Sequence, residues 1–239
     1  MGTCVIPVSL GRRTTAVGVV IPIHNEEELL GIALNALGIA LSAMPAAIDH
    51  RVALVLDSCR DNSQDIARRW AAENSALLVY CEETNVGAAR RAGCAALLEW
   101  WRLRPRHQVW LATTDADSRV PQQWLTAQIA AYDAGADLWT GRVAVADWCH
   151  GQAGTAERWT ALYERELAPI HGTSMGISAQ LYLDIGGFAP LATGEDRDIY
   201  SRAISSGAVP HHNSTVDVVT SSRGAARAPL GFAHALANI

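Results

Sequence analysis

Residues 109–117, VWLATTDAD, decide the fold that this sequence predicts. The apolar run 109–113 predicts a buried β-strand, and two carboxylates, Asp115 and Asp117, follow its carboxyl end. The other predicted elements alternate along the chain: strands at 17–23, 51–56, 77–81 and 136–145, and helices at 26–43, 63–74, 86–101 and 122–134. Strands and helices that alternate at such short intervals predict an α/β fold with a parallel, doubly wound sheet.

Polar side chains follow three of these predicted strands at the point where each strand ends. Residues 24–26 (HNE) come after the first strand, Asp57 after the second, and Asp115 and Asp117 after the fourth. The carboxyl ends of parallel strands meet at one edge of a sheet, and ligands of such sheets bind there. The sequence therefore predicts a ligand site with several carboxylates at that edge.

The alternation breaks down after about residue 146. The remaining predicted elements are helices at 153–167, 180–185 and 195–206, a short strand or loop at 171–177, a turn at 186–188 and a strand at 216–220. No internal repeat or low-complexity linker separates the two parts. We therefore expect one domain over residues 1–239, with a nucleotide-binding half at about 17–145 and an acceptor-binding half at about 146–239.

Composition excludes several classes of function. The formal net charge is −5, so the chain lacks the basic footprint of a nucleic-acid-binding protein. It contains no lysine, which excludes pyridoxal enzymes and P-loop NTPases, because both need one. Five cysteines without a CxxC pair predict a reducing, cytoplasmic location. No apolar run reaches 18 residues, so we expect no transmembrane segment; peripheral membrane contact and oligomeric state stay open.

The first candidate site is the pair Asp115 and Asp117. Side chains alternate along extended backbone, so both carboxylates can leave the sheet edge on the same side of the chain. Hard oxygen ligands suit Mg²⁺ or Mn²⁺, and such an ion can also hold a diphosphate. The alternative is a solvated turn, since many surface loops contain two aspartates at this spacing.

Three further carboxylates are candidates. Asp57 ends the second predicted strand, where it can accept a hydrogen bond from a base N–H or a ribose hydroxyl; helix capping nearby is the competing interpretation. Glu195 and Asp196 begin a predicted helix after Gly194, where acidic residues commonly compensate the helix dipole. The functional interpretation of this pair is a general base that takes a proton from an attacking hydroxyl.

The basic candidates are arginines and one histidine. Arg90 lies on the third predicted helix, and Arg223 and Arg227 lie in a Gly/Ala-rich segment near the end of the chain. Arginine suits two-point recognition of phosphate, so these residues are candidate diphosphate contacts. His212 is a candidate metal ligand, with a polar loop as the alternative.

Six segments together resemble the motifs of the family 2 glycosyltransferases with the GT-A fold. In chain order they are 19–27 (VVIPIHNEE), 56–63 (LDSCRDNS), 85–93 (NVGAARRAG), 115–117 (DAD), 172–175 with 185–188 (GTSM with IGGF), and 194–198 (GEDRD). The resemblance covers about residues 17–207. It implies a Rossmann-like, mixed but mainly parallel sheet flanked by helices, in a bacterial, non-processive enzyme.

The sequence departs from the family pattern in its second segment. Leu56 stands where the family has the first Asp of its DDGS turn, and residues 58–60 (SCR) replace the Gly-Ser core. The arginine of the third segment comes one position early. The QxxRW motif of processive synthases is absent, which argues against a polymerising enzyme.

The resemblance implies a role for each matching residue. On the donor side it implies contacts with the base and ribose by Pro22, His24 and Glu26, with the base by Asp57, with the base or phosphates by Arg90, and with the ribose or donor sugar by Asp115. For the remaining candidates it implies metal binding by Asp117, a catalytic base in Asp196, acceptor positioning by Glu195, a second metal ligand in His212, and diphosphate contacts by Arg223 and Arg227.

The function so implied is an inverting glycosyltransferase that moves a sugar from a nucleotide-diphosphate sugar to an acceptor hydroxyl with Mn²⁺ or Mg²⁺. Two alternatives stay open. A non-catalytic sugar-nucleotide binding protein is favoured by the altered turn at 56–58. A sugar-phosphate nucleotidyltransferase is less favoured, because residues 24–27 (HNEE) are acidic where such enzymes carry a basic, Gly-rich loop. Donor sugar, nucleotide and acceptor are not determined by the sequence.

Overall fold

A computed structural model describes residues 13–146 and 170–221 of the chain. The strands are β1 (Ala16–Ile23), β2 (Asp49–Asp57), β3 (Leu77–Cys81), β4 (Val109–Thr113), β5 (Leu138–Ala146), β6 (Met175–Ser178) and β7 (Pro210–Ser221). The helices are α1 (Leu30–Ser42), α2 (Ser63–Asn74), α3 (Val86–Trp100), α4 (Trp124–Asp133), α5 (Ala179–Asp184) and α6 (Glu195–Ser205). The predicted helix at 153–167 lies outside the described residues.

The described strands form one seven-stranded sheet in the order β3-β2-β1-β4-β6-β5-β7. β1 pairs in parallel with β2 and β4, β2 pairs in parallel with β3, and β5 pairs in parallel with β7. Only β6 runs antiparallel to its neighbours β4 and β5 within this sheet of the described residues. The predicted α/β fold with a mixed, mainly parallel sheet flanked by helices is confirmed.

Both faces of the sheet are covered by helices, which explains why its central strands are continuous apolar runs. Val19 and Ile21 of β1 belong to a core with residues of α1, α2 and α4. Val20 belongs to a second core with residues of α3, α5 and α6. Because β1 to β4 are parallel, their carboxyl ends lie at the same edge of the sheet, where the polar segments of the sequence emerge.

Two elements differ from their predicted bounds. The first helix begins at Leu30 rather than Glu26, because the loop before it is bound to the start of α2, with the Glu26 N–H donating to Ser63 Oγ at 2.7 Å. β7 begins at Pro210 rather than 216. Its first residues are polar and largely exposed, which an edge strand tolerates because it pairs on one side only. No helix in the described residues is long and apolar enough to cross a bilayer.

Candidate active site

The chain turns sharply after each of the first three strands. Asn25, Ser58 and Thr84 all have left-handed backbone conformations, with φ of 55°, 53° and 49°. This conformation is unfavourable for residues other than glycine, and most of all for a β-branched residue such as Thr84. Strain of this kind persists where surrounding contacts enforce it, and it is concentrated at functional sites.

Hydrogen bonds connect the loop after β1 to the loop after β2. The Asn25 side-chain oxygen accepts from the Arg60 backbone N–H at 2.7 Å. The Glu26 N–H donates to Ser63, as described above, and Glu26 itself is buried. The NEE motif at residues 25–27 therefore shapes the rim of the site through contacts with the second loop.

His24 connects the same two strand ends. Its Nδ1 lies 2.7 Å from the Asp57 carbonyl oxygen, and its Nε2 lies 3.2 Å from the Asn25 side-chain nitrogen. A carbonyl only accepts, so Nδ1 carries the proton and Nε2 accepts from Asn25. The structure thus brings Pro22, His24, Glu26 and Asp57 to neighbouring strand ends, and their predicted contacts with a nucleotide stay predictions.

Asp57 is enclosed by backbone donors. Its Oδ1 accepts from the N–H groups of Glu83 at 3.0 Å and Thr84 at 2.9 Å, and its Oδ2 accepts from the Asn85 N–H at 2.8 Å. The Ser58 hydroxyl is 3.1 Å from Oδ1, and Asp57 is only 3% exposed. Asp57 therefore holds the loop between β3 and α3; contact with a base stays a prediction that these partners do not support.

The loop that Asp57 holds begins α3. The Asn85 side chain accepts from the Ala88 N–H at 3.0 Å and so caps the helix. A Cβ at Gly87 would overlap the backbone of residues 189–191, so glycine allows this helix end to approach the segment that leads to α6. The NVG motif therefore sets the position of α3 and of the arginine one turn further along.

That arginine, Arg90, lies inside the protein and is 2% exposed. Its Nη2 pairs with Asp115 at 2.5 Å, and its Nη1 pairs with Glu195, which is 4% exposed. Arginine keeps its charge when buried, so two carboxylate partners are what its burial requires. The structure therefore places Arg90 between two acidic side chains, and its predicted contact with the base or phosphates stays a prediction.

The DAD loop follows β4 directly. The second oxygen of Asp115 accepts from the Thr173 hydroxyl. Asp117 is half-buried, and its Oδ1 accepts from the hydroxyls of Ser118 at 3.0 Å and Thr220 at 3.4 Å. The far end of β7 therefore lies against this loop, which places both aspartates at the predicted edge of the sheet.

The carboxylates of this loop fit a divalent ion whose remaining ligands come from the substrate and water. Across residues 13–146 and 170–221, no cluster of three or more His, Cys, Asp or Glu side chains is arranged to hold a metal. Mg²⁺ usually takes one or two carboxylates together with water and substrate phosphates, rather than a cage made only of protein groups. Asp115 and Asp117 fit this arrangement, because both carboxylates are partly exposed at the end of β4.

Glu195 and Asp196 begin α6 after Gly194, but their surroundings differ. Glu195 is buried against Arg90, whereas Asp196 is half-exposed. Asp196 Oδ2 accepts from the Gly172 N–H at 2.9 Å, and Oδ1 accepts from the Arg197 N–H at 2.7 Å. Asp196 is therefore a partly accessible carboxylate whose two oxygens are held by backbone N–H groups in the first turn of α6.

Two residues without a predicted role, Gly172 and Thr173, connect the two sides of the site. The Gly172 N–H contacts Asp196, the Thr173 hydroxyl contacts Asp115, and the Gly172 carbonyl accepts from Thr113 Oγ1 at 2.7 Å. In the sequence, only the GTSM motif draws attention to these two residues, and it does not indicate that they contact Asp115 and Asp196.

His212 lies apart from Asp117. Its Nδ1 is 2.7 Å from Thr140 Oγ1, and its Nε2 is 3.2 Å from the Tyr200 hydroxyl. On β7, Thr220 is the residue that contacts Asp117. His212 pairs with Thr140 of β5 and Thr220 pairs with Val145, and these two β5 residues are about 16 Å apart along the strand. The structure therefore does not bring His212 to the DAD loop. Burial, and then the nearby His211, lowers the pKa of His212.

The predicted diphosphate contacts Arg223 and Arg227 lie outside the described residues.

Comparison with known proteins agrees with this geometry. Residues 18–183 match the family model described as Glycosyl transferase family 2. Comparison with curated proteins gives no match.

Several solved structures have the same fold. TarS 1–349 of S. aureus in complex with UDP-GlcNAc gives a TM-score of 0.64 at 15% identity, over 89% of this chain and 60% of that one. Mannosyltransferase PcManGT of Pyrobaculum calidifontis, in complex with GDP-Man and Mn²⁺, gives 0.61 at 21% identity, over 88% and 58%. Glucosyl-3-phosphoglycerate synthase of Mycobacterium tuberculosis, in complex with Mg²⁺ and UDP, gives 0.58 at 16% identity, over 91% and 73%. The chain thus spans about 60% of the length of the first of these structures.

Proposed function

The chain belongs to glycosyl transferase family 2, and from that premise we propose that it is an inverting, metal-dependent glycosyltransferase. It would transfer a sugar from a nucleotide-diphosphate sugar to an acceptor hydroxyl. Three structures of the same fold hold UDP-GlcNAc, GDP-Man with Mn²⁺, or UDP with Mg²⁺, which supports this class of donor and cofactor.

One observation carries the proposal. Two consecutive residues, Gly172 and Thr173, contact a carboxylate on each side of the site: the Gly172 N–H donates to Asp196, and the Thr173 hydroxyl donates to Asp115. A candidate metal-binding loop and a partly exposed candidate base are therefore held next to each other. A direct displacement needs this arrangement, because the leaving group and the attacking hydroxyl lie on opposite sides of the reacting carbon.

The metal would be held by Asp117 with Asp115, and when bound it supplies positive charge for the diphosphate that leaves. Asp196 takes the proton of the acceptor hydroxyl, and the acceptor oxygen forms a bond to the anomeric carbon. The bond from that carbon to the phosphate oxygen breaks, and its electron pair stays on the nucleoside diphosphate. A single displacement with a single base inverts the configuration at the anomeric carbon.

Donor binding can be tested with a thermal-shift panel of UDP-, GDP-, dTDP- and CDP-sugars, each with Mn²⁺, Mg²⁺ or EDTA. A ligand at about 100 times its dissociation constant adds about 2.7 kcal/mol to the free energy of unfolding. We expect one nucleotide class to raise the melting temperature by about 5–10 °C with a metal and not with EDTA. A flat panel would contradict the proposal.

Catalysis can be tested with Asp196→Asn. We expect transfer to fall by about a thousandfold or more, because the variant lacks a proton acceptor, while the donor-induced thermal shift stays. Asp198→Asn on the same helix is the matched control, because Asp198 pairs with Arg202 instead. Unchanged turnover in Asp196→Asn would remove Asp196 from the mechanism.

A non-catalytic sugar-nucleotide binding protein is the second candidate. Two facts favour it: Leu56 replaces the first Asp of the family's turn, and Asp57 is enclosed by backbone donors. Donor binding without transfer or donor hydrolysis, across many acceptors, would support this alternative over the enzyme.

For location, we propose the cytoplasm. In the described part of the chain the cysteines, Cys59, Cys81 and Cys94, are free thiols, which is typical of a reducing compartment. Burial raises the pKa of the Cys94 thiol to about 12, so this cysteine is a core residue and not a reactive one. Fractionation of the native cells, followed by immunodetection, would test this location.

A further inference from the structure

Arg90 contacts both the candidate metal-binding loop, through Asp115, and the start of α6, through Glu195. It comes from α3, whereas Asp115 follows β4 and Glu195 begins α6, so one side chain joins three elements. Arg90 and Glu195 are 105 residues apart in the chain. Because both are almost completely buried, neither can find another solvent or protein partner without rearrangement.

The surroundings are built around this guanidinium. A Cβ at Gly172 would overlap three atoms of the Arg90 guanidinium, so glycine is needed at that position for Arg90 to lie there. The same Gly172 donates its N–H to Asp196, and Thr173 donates its hydroxyl to Asp115. Arg90, Gly172 and Thr173 together contact three acidic side chains of the site, which are Asp115, Glu195 and Asp196. We call Arg90, Gly172 and Thr173 the bridge.

The bridge controls the position of the candidate base. Glu195 is fixed by Arg90, and Asp196 is the next residue in the first turn of the same helix. Any shift of Glu195 would carry Asp196 with it, relative to Asp115 and to a donor bound beside it. The charged plane of an arginine can pair with two carboxylates at once, whereas a lysine is a single point of charge.

We propose that Arg90 is a positioning residue, which holds the donor-side Asp115 and the acceptor-side Glu195 on one guanidinium and thereby sets Asp196 against the bound donor. The inference rests on the proposed function, because it assigns Asp196 as the base. It differs from the role that the family resemblance implies, in which Arg90 touches the nucleotide itself.

The two roles make different kinetic predictions for Arg90→Lys, which keeps the charge and loses the two-point geometry. A positioning role predicts a fall of about a hundredfold in kcat, since small misplacements of reacting groups have effects of that size. The donor dissociation constant stays within about threefold, because no donor contact is lost. Arg91→Lys, at the exposed next position on α3, is the matched control and leaves both quantities unchanged. Donor affinity that falls as much as kcat/KM would overturn the proposal in favour of direct nucleotide contact.

A double variant separates positioning from stability. Arg90→Met alone leaves Glu195 buried without a partner and lowers the melting temperature. Arg90→Met with Glu195→Met replaces the buried pair by apolar groups and restores much of that loss, while kcat stays low because the ion pair that anchors the first turn of α6, next to Asp196, is gone. Recovery of kcat together with stability would overturn the positioning role and leave Arg90 a structural residue only.

Amide hydrogen exchange tests the bridge without any substrate. In Arg90→Lys we expect faster exchange in residues 170–175 and 194–198, and no change in α2. Unchanged exchange in these segments contradicts the bridge alone, whereas wild-type protein that binds no sugar nucleotide contradicts the proposed function alone.

Discussion

The ends of β2 and β4 lie at the same edge of the sheet and both carry aspartates, but these carboxylates have different partners. Asp57 accepts from three backbone N–H groups and is nearly inaccessible. Asp115 and Asp117 are partly exposed and contact side chains, namely an arginine and hydroxyls. The same residue type at equivalent places in the sheet thus occupies an enclosed position in one case and an open position in the other.

The difference shows how an acidic cluster can be divided between structure and ligand binding. Backbone donors hold Asp57 and thereby fix a strained loop, which in turn sets the start of α3. The hydroxyls of Ser118 and Thr220, which donate to Asp117, can rotate away when a ligand arrives, at less cost than moving backbone. Proximity to the site therefore does not by itself identify a ligand contact, and the type of partner is the more informative observation.

The strongest test of this comparison is Asp117→Asn. We expect donor affinity in Mn²⁺ to fall by about a hundredfold or more, which corresponds to about 2.8 kcal/mol, because the ion loses a charged ligand. The melting temperature without ligand stays close to that of the wild type. Titration calorimetry with and without EDTA measures the affinity, and Asp217→Asn, at an exposed position on β7, is the control. Wild-type affinity in Asp117→Asn would contradict the assignment of the DAD loop.

Asp57→Asn should have the opposite profile. The amide faces donors with one oxygen instead of two, so we expect a loss of about 2 kcal/mol in the free energy of unfolding, as is typical when buried hydrogen bonds to a charged group are removed. The melting temperature then falls by about 4–8 °C.

The exposed Asp65→Asn on α2 is the control for Asp57→Asn, and thermal unfolding is the measurement. An unchanged melting temperature together with lost donor binding would reverse the comparison. It would return Asp57 to the role of base contact that the family resemblance implies.

Much of the fold could be predicted because its signals are local. The bounds of α2, β3 and β4 are those predicted, since buried runs and helical spacing are visible within ten residues. The start of α1 was predicted too early, because its first turn is taken by contacts with residues 60–63, more than 30 positions away. The early part of β7 was missed because its polar residues resemble a loop.

The site was harder to predict for the same reason. The chemistry-bearing residues Asp115, Asp117 and Asp196 lie where their motifs suggested, at the carboxyl edge and at a helix start. The partners that distinguish one carboxylate from another come from distant segments: Arg90 meets Glu195, and Thr173 meets Asp115 across 58 residues. Spacing along a chain carries no information about such pairs, so the roles of Arg90 and Thr173 needed the structure.

The smallest effect that we predict concerns the strain in the loop that Asp57 holds. Thr84 is β-branched and exposed, yet its φ is 49°, a conformation that costs about 1–2 kcal/mol for most residues and little for glycine. Thr84→Gly keeps the backbone N–H that Asp57 accepts, so we expect a gain of about 0.5–1 kcal/mol in stability after the entropy cost of glycine. Thermal unfolding would show a rise of about 2 °C. The neighbouring Glu83→Gly has no positive φ to relieve and should lower stability instead. If both variants are destabilised equally, the conformation of Thr84 holds no strain that glycine can relieve, and the loop after β3 is then no different in this respect from an ordinary loop.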